Sequence, residues 1–428
     1  MSGISKKKKQ MLKKLGCDHV VDSYKKNEAN MKATLKEVMS EPPSYVCGRV
    51  ISSHKLTITM NGQEMRLSPG DEMMMPLGFF LQNKEMTDKK TKQTMQIMKP
   101  ATKTFLERFR RYNGQDLSNK TLLIWRFGGI GDIMFCQPLV KHIKKTFPNS
   151  KVVFATAPNN KGVFSFWPSG LVDDVTDIPF NSKFMDEADY HLTFEGSIER
   201  CKEAHEINCY DIFAKVAGLE FNPKDYPLEA FPDPNIVDSL RPYIPPKTIA
   251  FQMRASSNLR TMPLTKSIEI INALTDLGFT VGIIDSSREE KIVQSVIDQC
   301  PLKRKERVIN LAKLSKSLNH CVSILKLCCG SVSTDSSVTH LANAVGIPSI
   351  GIYGPFRGEL RMLYYDNADW VNGSDGWNEC GRAPCYAHDA QAHLCPYMQK
   401  KQFVGCLQCI DVDKLVDKFV NIYSKFEK

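Results

Sequence analysis

No uninterrupted apolar run in this chain approaches the roughly 20 residues that span a bilayer. The opening stretch, with Lys6 to Lys9, lacks the apolar segment of a signal peptide. The expectation is a cytoplasmic protein with no transmembrane segment. Disulfide-framework spacing is missing as well, since the 14 cysteines are spread through a long chain and read as reduced thiols, one cluster excepted. Neither the dinucleotide fingerprint G-x-G-x-x-G nor a P-loop Gly-Lys-Ser/Thr occurs, and no acidic residue ends a plausible second strand about 20 residues on, which argues against a hydride-transfer enzyme. What is present is length: 428 residues, 42% of them hydrophobic, enough for a sizeable core in two or three domains.

The net charge of +10 is concentrated. Residues 1–118 hold 22 Lys and Arg against 12 Asp and Glu, leaving 35 of each sign in the remainder. Such asymmetry suits either a solubilising arm or a polyanionic partner, for which nucleic acid, lipopolysaccharide and an anionic membrane surface touched peripherally are candidates. Within this extension, residues 1 to about 40 read as helical or partly disordered. Residues 45–80 read as a small β module with a hairpin at Asn61-Gly62, and Lys84 to Lys99 as a polar linker.

From Lys120 onward apolar strands alternate with helices, the signature of parallel α/β sheets. A proline-rich stretch between about 222 and 246 divides two such series. The expected domains are therefore 1–118, the basic extension, followed by Rossmann-like units over 119–245 and 246–428, facing one another across a cleft.

Two stretches carry chemistry. In the first, the run Thr121 to Trp125 closes on Arg126-Phe-Gly-Gly-Ile-Gly-Asp132, and a helical pattern follows. Gly128, Gly129 and Gly131 remove Cβ atoms where backbone approaches a ligand, and free N–H groups open the helix. Asp132 is either the cap of that helix or a general base. The second stretch, Ser331-Val-Ser-Thr-Asp-Ser-Ser337 with Val338 to Pro348, gathers hydroxyls and a carboxylate at another helix start. That place suits a phosphate, or holds ordinary capping residues.

Together, Arg126-Phe-Gly-Gly-Ile-Gly-Asp132 with Pro138, and Asp335-Ser-Ser-Val-Thr-His340 through Pro348 with Tyr353-Gly-Pro355, resemble glycosyltransferase family 9, the ADP-heptose:lipopolysaccharide heptosyltransferases, over about residues 120–410. The resemblance implies an α/β protein of GT-B fold, two facing Rossmann-like domains, here preceded by the small helical and β extension. It implies inverting transfer from a nucleotide-diphosphate sugar without an essential metal. Asp132 maps onto the base, and the glycine loop with Thr334, Asp335, Ser336, Ser337 and His340 onto donor binding. Arg254 and Arg260 follow a strand end where related enzymes carry a basic residue for the leaving diphosphate, although the family's Lys-x-Trp-Pro is replaced here by Arg260-Thr-Met-Pro263. Arg126 and His205 map to the acceptor side.

The acceptor stays open between a lipopolysaccharide-type glycan and, given the basic extension, DNA with a hydroxymethylated base as in phage DNA modification. A non-catalytic nucleotide-sugar-binding protein is a third reading. Finally, Cys380, Cys385, Cys395, Cys406 and Cys409 fall within 30 residues with His388 and His393 among them, which suits a structural zinc site, a disulfide or redox pair, or free thiols.

Overall fold

Strands buried on both faces read as unbroken apolar runs rather than alternating ones, and Thr121–Trp125, Lys151–Thr156 and Thr248–Gln252, in the middle of the two parallel sheets of this protein, are such runs. The computed structural model describes residues 45–426 except 61–62, 88–93, 200, 202, 376–378, 387–394 and 402–403, so the helical expectation for residues 1–40 lies outside the described residues. In the first sheet, β8 (Thr121–Trp125), β9 (Lys151–Thr156), β10 (Asp174–Asp177) and β12 (Tyr190–Thr193) are all parallel, in the order β10-β9-β8-β12.

The second sheet is β13 (Thr248–Gln252), β14 (Thr280–Ile283), β15 (Val308–Asn310), β16 (Gly330–Thr334), β17 (Ser349–Tyr353) and β18 (Ala368–Asn372), again parallel, in the order β15-β14-β13-β16-β17-β18. Both sheets reverse direction of growth beside their first strand. In the first the reversal lies between β8 and β12, in the second between β13 and β16. Connections leave such a point on opposite faces and open a crevice at the carboxyl ends of the strands. The two crevices face each other, and one continuous core joins helix α1 (Ile130–Thr146) of the first unit to helix α3 (Ser337–Ala344) of the second through Phe135, Val338 and Leu341. This is the GT-B arrangement.

The extension is not a separate body. Strands β1 (Tyr45–Val50), β4 (Glu72–Pro76) and β7 (Met98–Pro100) form an antiparallel sheet that takes its fourth strand, β11 (Phe180–Asn181), from beyond the expected boundary, with Phe180 opposite Met74. Strands β2 (Leu56–Met60) and β3 (Gln63–Leu67) pair antiparallel with Met60 opposite Gln63. The expected linker is a departure. It holds β5 (Glu85–Thr87), β6 (Thr94–Gln96) and β7, because Ile97 and Met98 are buried and Ile97 exchanges backbone bonds with Lys84 and Ile51. Two buried apolar side chains outweigh a lysine-rich composition.

The outer face of the first sheet is covered by this extension. Leu123, Trp125, Val153 and Ala155 share a core with Cys47, Met74, Ala101 and Phe105. Arg108, 8% exposed, ties both parts together through ion pairs with Glu72 and Asp186. Burying each large apolar side chain contributes about 1.5–3 kcal/mol, so removing this cover takes away a large share of a typical 5–15 kcal/mol stability. A chain starting at residue 45 is therefore expected to melt cooperatively. One starting at residue 119 is expected to aggregate or lose its cooperative transition, and equal melting temperatures for the two would contradict this account.

Candidate functional site

The facing crevices enclose a cavity of about 800 Å3 lined by both units. On the first-unit side, β8 delivers the chain to the glycine loop, and Gly129 takes the N-cap position of α1 with no side-chain cap bond. Asp132 sits in the first turn yet is not the cap. Its Oδ2 instead accepts from Arg126 Nη2 at 2.9 Å. Arg126 is 3% exposed, and also donates from Nη2 to Glu199 Oε1 at 2.7 Å and from Nη1 to the Phe194 carbonyl at 2.7 Å. Glu195 Oε2 lies 3.7 Å from Nη1. One buried guanidinium thus holds three carboxylates.

Burial pushes the Asp132 carboxyl up, but Arg126, with Arg361 and Arg260 farther off, pulls it down by more, so it lies below the ordinary carboxylate range. It is ionised at neutral pH and reaches the cavity.

The glycines have distinct reasons. A Cβ on Gly128 would stand 2.9 Å from Arg126 Nε and 3.1 Å from Asp132 Oδ2, so this glycine makes room for the ion pair. A Cβ on Gly131 would stand 3.0 Å from His340 Cδ2, so that glycine lets the two motifs touch across the cleft. Asn160 holds the loop from outside, donating to the Gly128 carbonyl at 2.7 Å.

On the second-unit side, β16 is buried throughout and ends at Thr334, just before Asp335. Ser336 is the N-cap of α3 but makes no cap bond; its hydroxyl donates to Gln252 Oε1. The first N–H groups of α3 are therefore left uncapped by that side chain beside the cavity, the arrangement that favours an anion. Arg260 braces this loop, Nη1 donating to the Asp335 carbonyl at 3.0 Å. Arg254 pairs with Glu289 at 2.5 Å. His340, 3% exposed, is lowered by burial to about 4 and is neutral.

Of the expected residues, Asp132, Arg126, Gly128, Gly129, Gly131, Arg254, Arg260, Asp335, Ser336, Ser337 and His340 line the one cavity. Two do not. Thr334 is fully buried at the end of β16, its hydroxyl without a partner among the described residues. His205 packs edge-on against Tyr386 with Nε2 3.2 Å from Glu206, because Tyr386 reaches over from the second unit and donates to the His205 carbonyl.

Glu199, Asp285, Glu289 and Arg361 line the cavity without having been singled out in the sequence. Arg361 is 7% exposed, lies over the Phe356 ring with 5.0 Å from Cζ to the centroid, and donates to Cys209 Sγ of the first unit. Only Asp285 had a readable signal, as an acid just past the second strand of a nucleotide-binding half.

Four of the five clustered cysteines come together. Cys380, Cys385, Cys395 and Cys406 line a cavity of only about 30 Å3 with Leu259 and Val404, and Cys409 is exposed elsewhere. Among the described residues no three His, Cys, Asp or Glu stand close enough to hold a metal; His388 and His393 lie outside them. Burial pushes the Cys406 thiol well up.

Residues 211–390 match the profile of glycosyltransferase family 9 (heptosyltransferase). A lipooligosaccharide heptosyltransferase 2 of Haemophilus influenzae is 30% identical over 108 residues, 25% of this chain and 31% of the relative, so the match spans about a third of that relative's length. Among solved structures, a family 9 glycosyl transferase of Veillonella parvula shares 13% identity at a TM-score of 0.53, covering 73% of this chain and 99% of that one. The E. coli ADP-heptose lps heptosyltransferase II shares 14% at 0.53, covering 72% and 100%. The family 9 profile thus runs from the last helix of the first unit through most of the second, and the chain shares the fold of these glycosyltransferases, with its two motifs meeting at one cleft.

Proposed function

We propose that this chain is an inverting glycosyltransferase that moves a heptose-like sugar from a nucleotide-diphosphate donor to an acceptor hydroxyl without needing a metal. The observation that carries the reading is Asp132: an ionised carboxylate at a helix start that caps nothing and faces the cavity opposite an open helix N-terminus. A sugar hydroxyl is a poor nucleophile at neutral pH, so its proton passes to Asp132 as its oxygen bonds to the anomeric carbon. The bond from that carbon to the phosphate oxygen breaks on the opposite side, and the diphosphate leaves with the electron pair. Its growing charge meets the start of α3 with Arg254, Arg260 and Arg361. Asp285 and Glu289 suit ribose hydroxyls.

The names of the relatives supply the donor and acceptor classes: the E. coli protein is described as using ADP-heptose, and the H. influenzae one as acting on lipooligosaccharide. We take ADP-heptose and a lipopolysaccharide-type glycan as the first pair to test. Incubation with a panel of nucleotide sugars, ADP-heptose among them, should release nucleoside diphosphate in step with labelled sugar gained by the acceptor. Lipopolysaccharide and hydroxymethylated DNA serve as parallel acceptors. Release with no acceptor labelled, or none from any donor, would sink the reading. The DNA arm calls for a chain trimmed at residue 45, since trimming at 119 uncovers Trp125.

A further inference from the structure

Three side chains that the proposed chemistry leaves unused form a line into the cleft. Tyr210 opens helix α2 (Cys209–Val216) of the first unit, and Tyr365 follows helix α4 (Glu359–Met362) of the second. The two phenol oxygens are 2.9 Å apart, and Tyr365 Oη is 2.7 Å from His340 Nδ1. All three are buried. Phe135 packs edge-on against both Tyr210 and His340, with centroids at 4.9 and 4.6 Å. The units are joined at the same place by Asn208 donating to the Glu359 carbonyl and by Tyr364 donating to Asp211.

Counting protons fixes the direction of this line. Each phenol has one hydrogen to donate, and a neutral imidazole has one N–H and one bare nitrogen. Among the described residues Tyr365 Oη is the only hydrogen-bond partner of Tyr210 Oη. If Tyr210 donates to Tyr365 and Tyr365 donates to His340 Nδ1, both buried hydrogens are used. The reverse order leaves the Tyr210 hydrogen buried with no acceptor, an arrangement folded proteins avoid. With Nδ1 accepting, the proton of His340 is on Nε2. That edge of the ring faces Gly131, Nε2 lying 3.5 Å from where a Cβ would be, at the cavity wall.

We propose that Tyr365, held by Tyr210 across the two units, is a positioning residue that fixes His340 as its Nε2–H tautomer, so that a neutral imidazole donates a hydrogen bond to the diphosphate of the donor. The binding half of this inference rests on the function proposed above, whereas the tautomer does not.

The test uses the full chain labelled with 15N at histidine, with His340→Gln to assign the signal among nine histidines. Long-range 1H–15N correlation should show His340 as Nε2–H. In Tyr365→Phe that pattern should give way to a tautomer mixture, and ADP, the probe, should bind about tenfold more weakly, the effect of one hydrogen bond to a charged group. Should that variant misfold, His340→Gln, whose amide nitrogen stands in for Nε2, should keep ADP affinity while His340→Asn loses it. An Nδ1–H pattern in the unmodified protein, an unchanged pattern in Tyr365→Phe, or equal ADP affinity in the Gln and Asn variants would overturn the proposal. Because the tautomer is read without turnover, a protein that transfers no sugar still reports on it.

Discussion

Asp132→Asn is expected to lower kcat by roughly 10²–10⁴-fold, the range for loss of a general base, while ADP affinity stays within about twofold. The substitution is nearly isosteric, and an amide oxygen can still accept from Arg126 Nη2, now 2.9 Å from Asp132 Oδ2. The glycine loop, which Asn160 also secures, should keep its shape. What is lost is the ability to take a proton. The separation of turnover from binding is the informative part, because a merely structural carboxylate would lower both together or neither. Turnover within tenfold of the unmodified protein would remove Asp132 from the role. The pH dependence follows from the same geometry: the net pull of the arginines holds this carboxyl below the ordinary range, so the acid limb of kcat/KM should fall below the usual aspartate value of about 4.

Arg126→Met carries the second large effect. The guanidinium is buried and faces Asp132, Glu195 and Glu199, so its removal takes from these carboxylates the cation they share. Breaking one side of a buried pair costs about 3–5 kcal/mol. At about 2–4 °C per kcal/mol for a unit of this size, the melting temperature should fall by on the order of 10 °C.

The sign of the pH effect should also invert. In the unmodified protein the depressed Asp132 pKa gives stability that is full above the unfolded value of about 4 and is lost as pH falls through the lower folded value. In Arg126→Met burial, the largest influence on both Asp132 and Glu195, is opposed only by the more distant Arg361 and Arg260 at Asp132 and by the Phe127 N–H at Glu195, so the folded carboxyls bind protons more readily than the unfolded ones. That variant should gain stability on acidification from neutral pH toward 4. Melting curves across this range for both proteins decide the matter, and parallel curves would show that Arg126 is not the partner that matters.

The glycine loop illustrates how far local pattern reaches. A run of apolar residues, three glycines and a carboxylate was enough to place a strand, a turn and a helix start, and to mark Asp132. It was not enough to say what each glycine is for. Gly128 is small because an arginine two residues before it and an aspartate four residues after it meet over its Cα, and Gly131 because a histidine more than 200 residues away abuts it. Pattern misled at Lys84 to Lys99, where lysines obscured the buried Ile97 and Met98 of a sheet. At the cysteine cluster the spacing left zinc, a disulfide and free thiols open, and the fold brings Cys380, Cys385, Cys395 and Cys406 around one small cavity.

By itself the sequence determined whatever depends on neighbours in the chain: the βα alternation, the two motifs and the family resemblance they carry. Periodicity and turn chemistry are local properties that composition records directly. The tertiary structure decided the strand order that puts both crevices face to face. It also brought the extension over Trp125, paired Arg126 with Glu199 rather than with Asp132 alone, brought Arg361 to the cavity, and aligned Tyr210 and Tyr365 on His340. These are contacts between residues tens to hundreds of positions apart, formed because buried apolar faces need cover and buried polar groups need partners, and no short window along the chain contains both members.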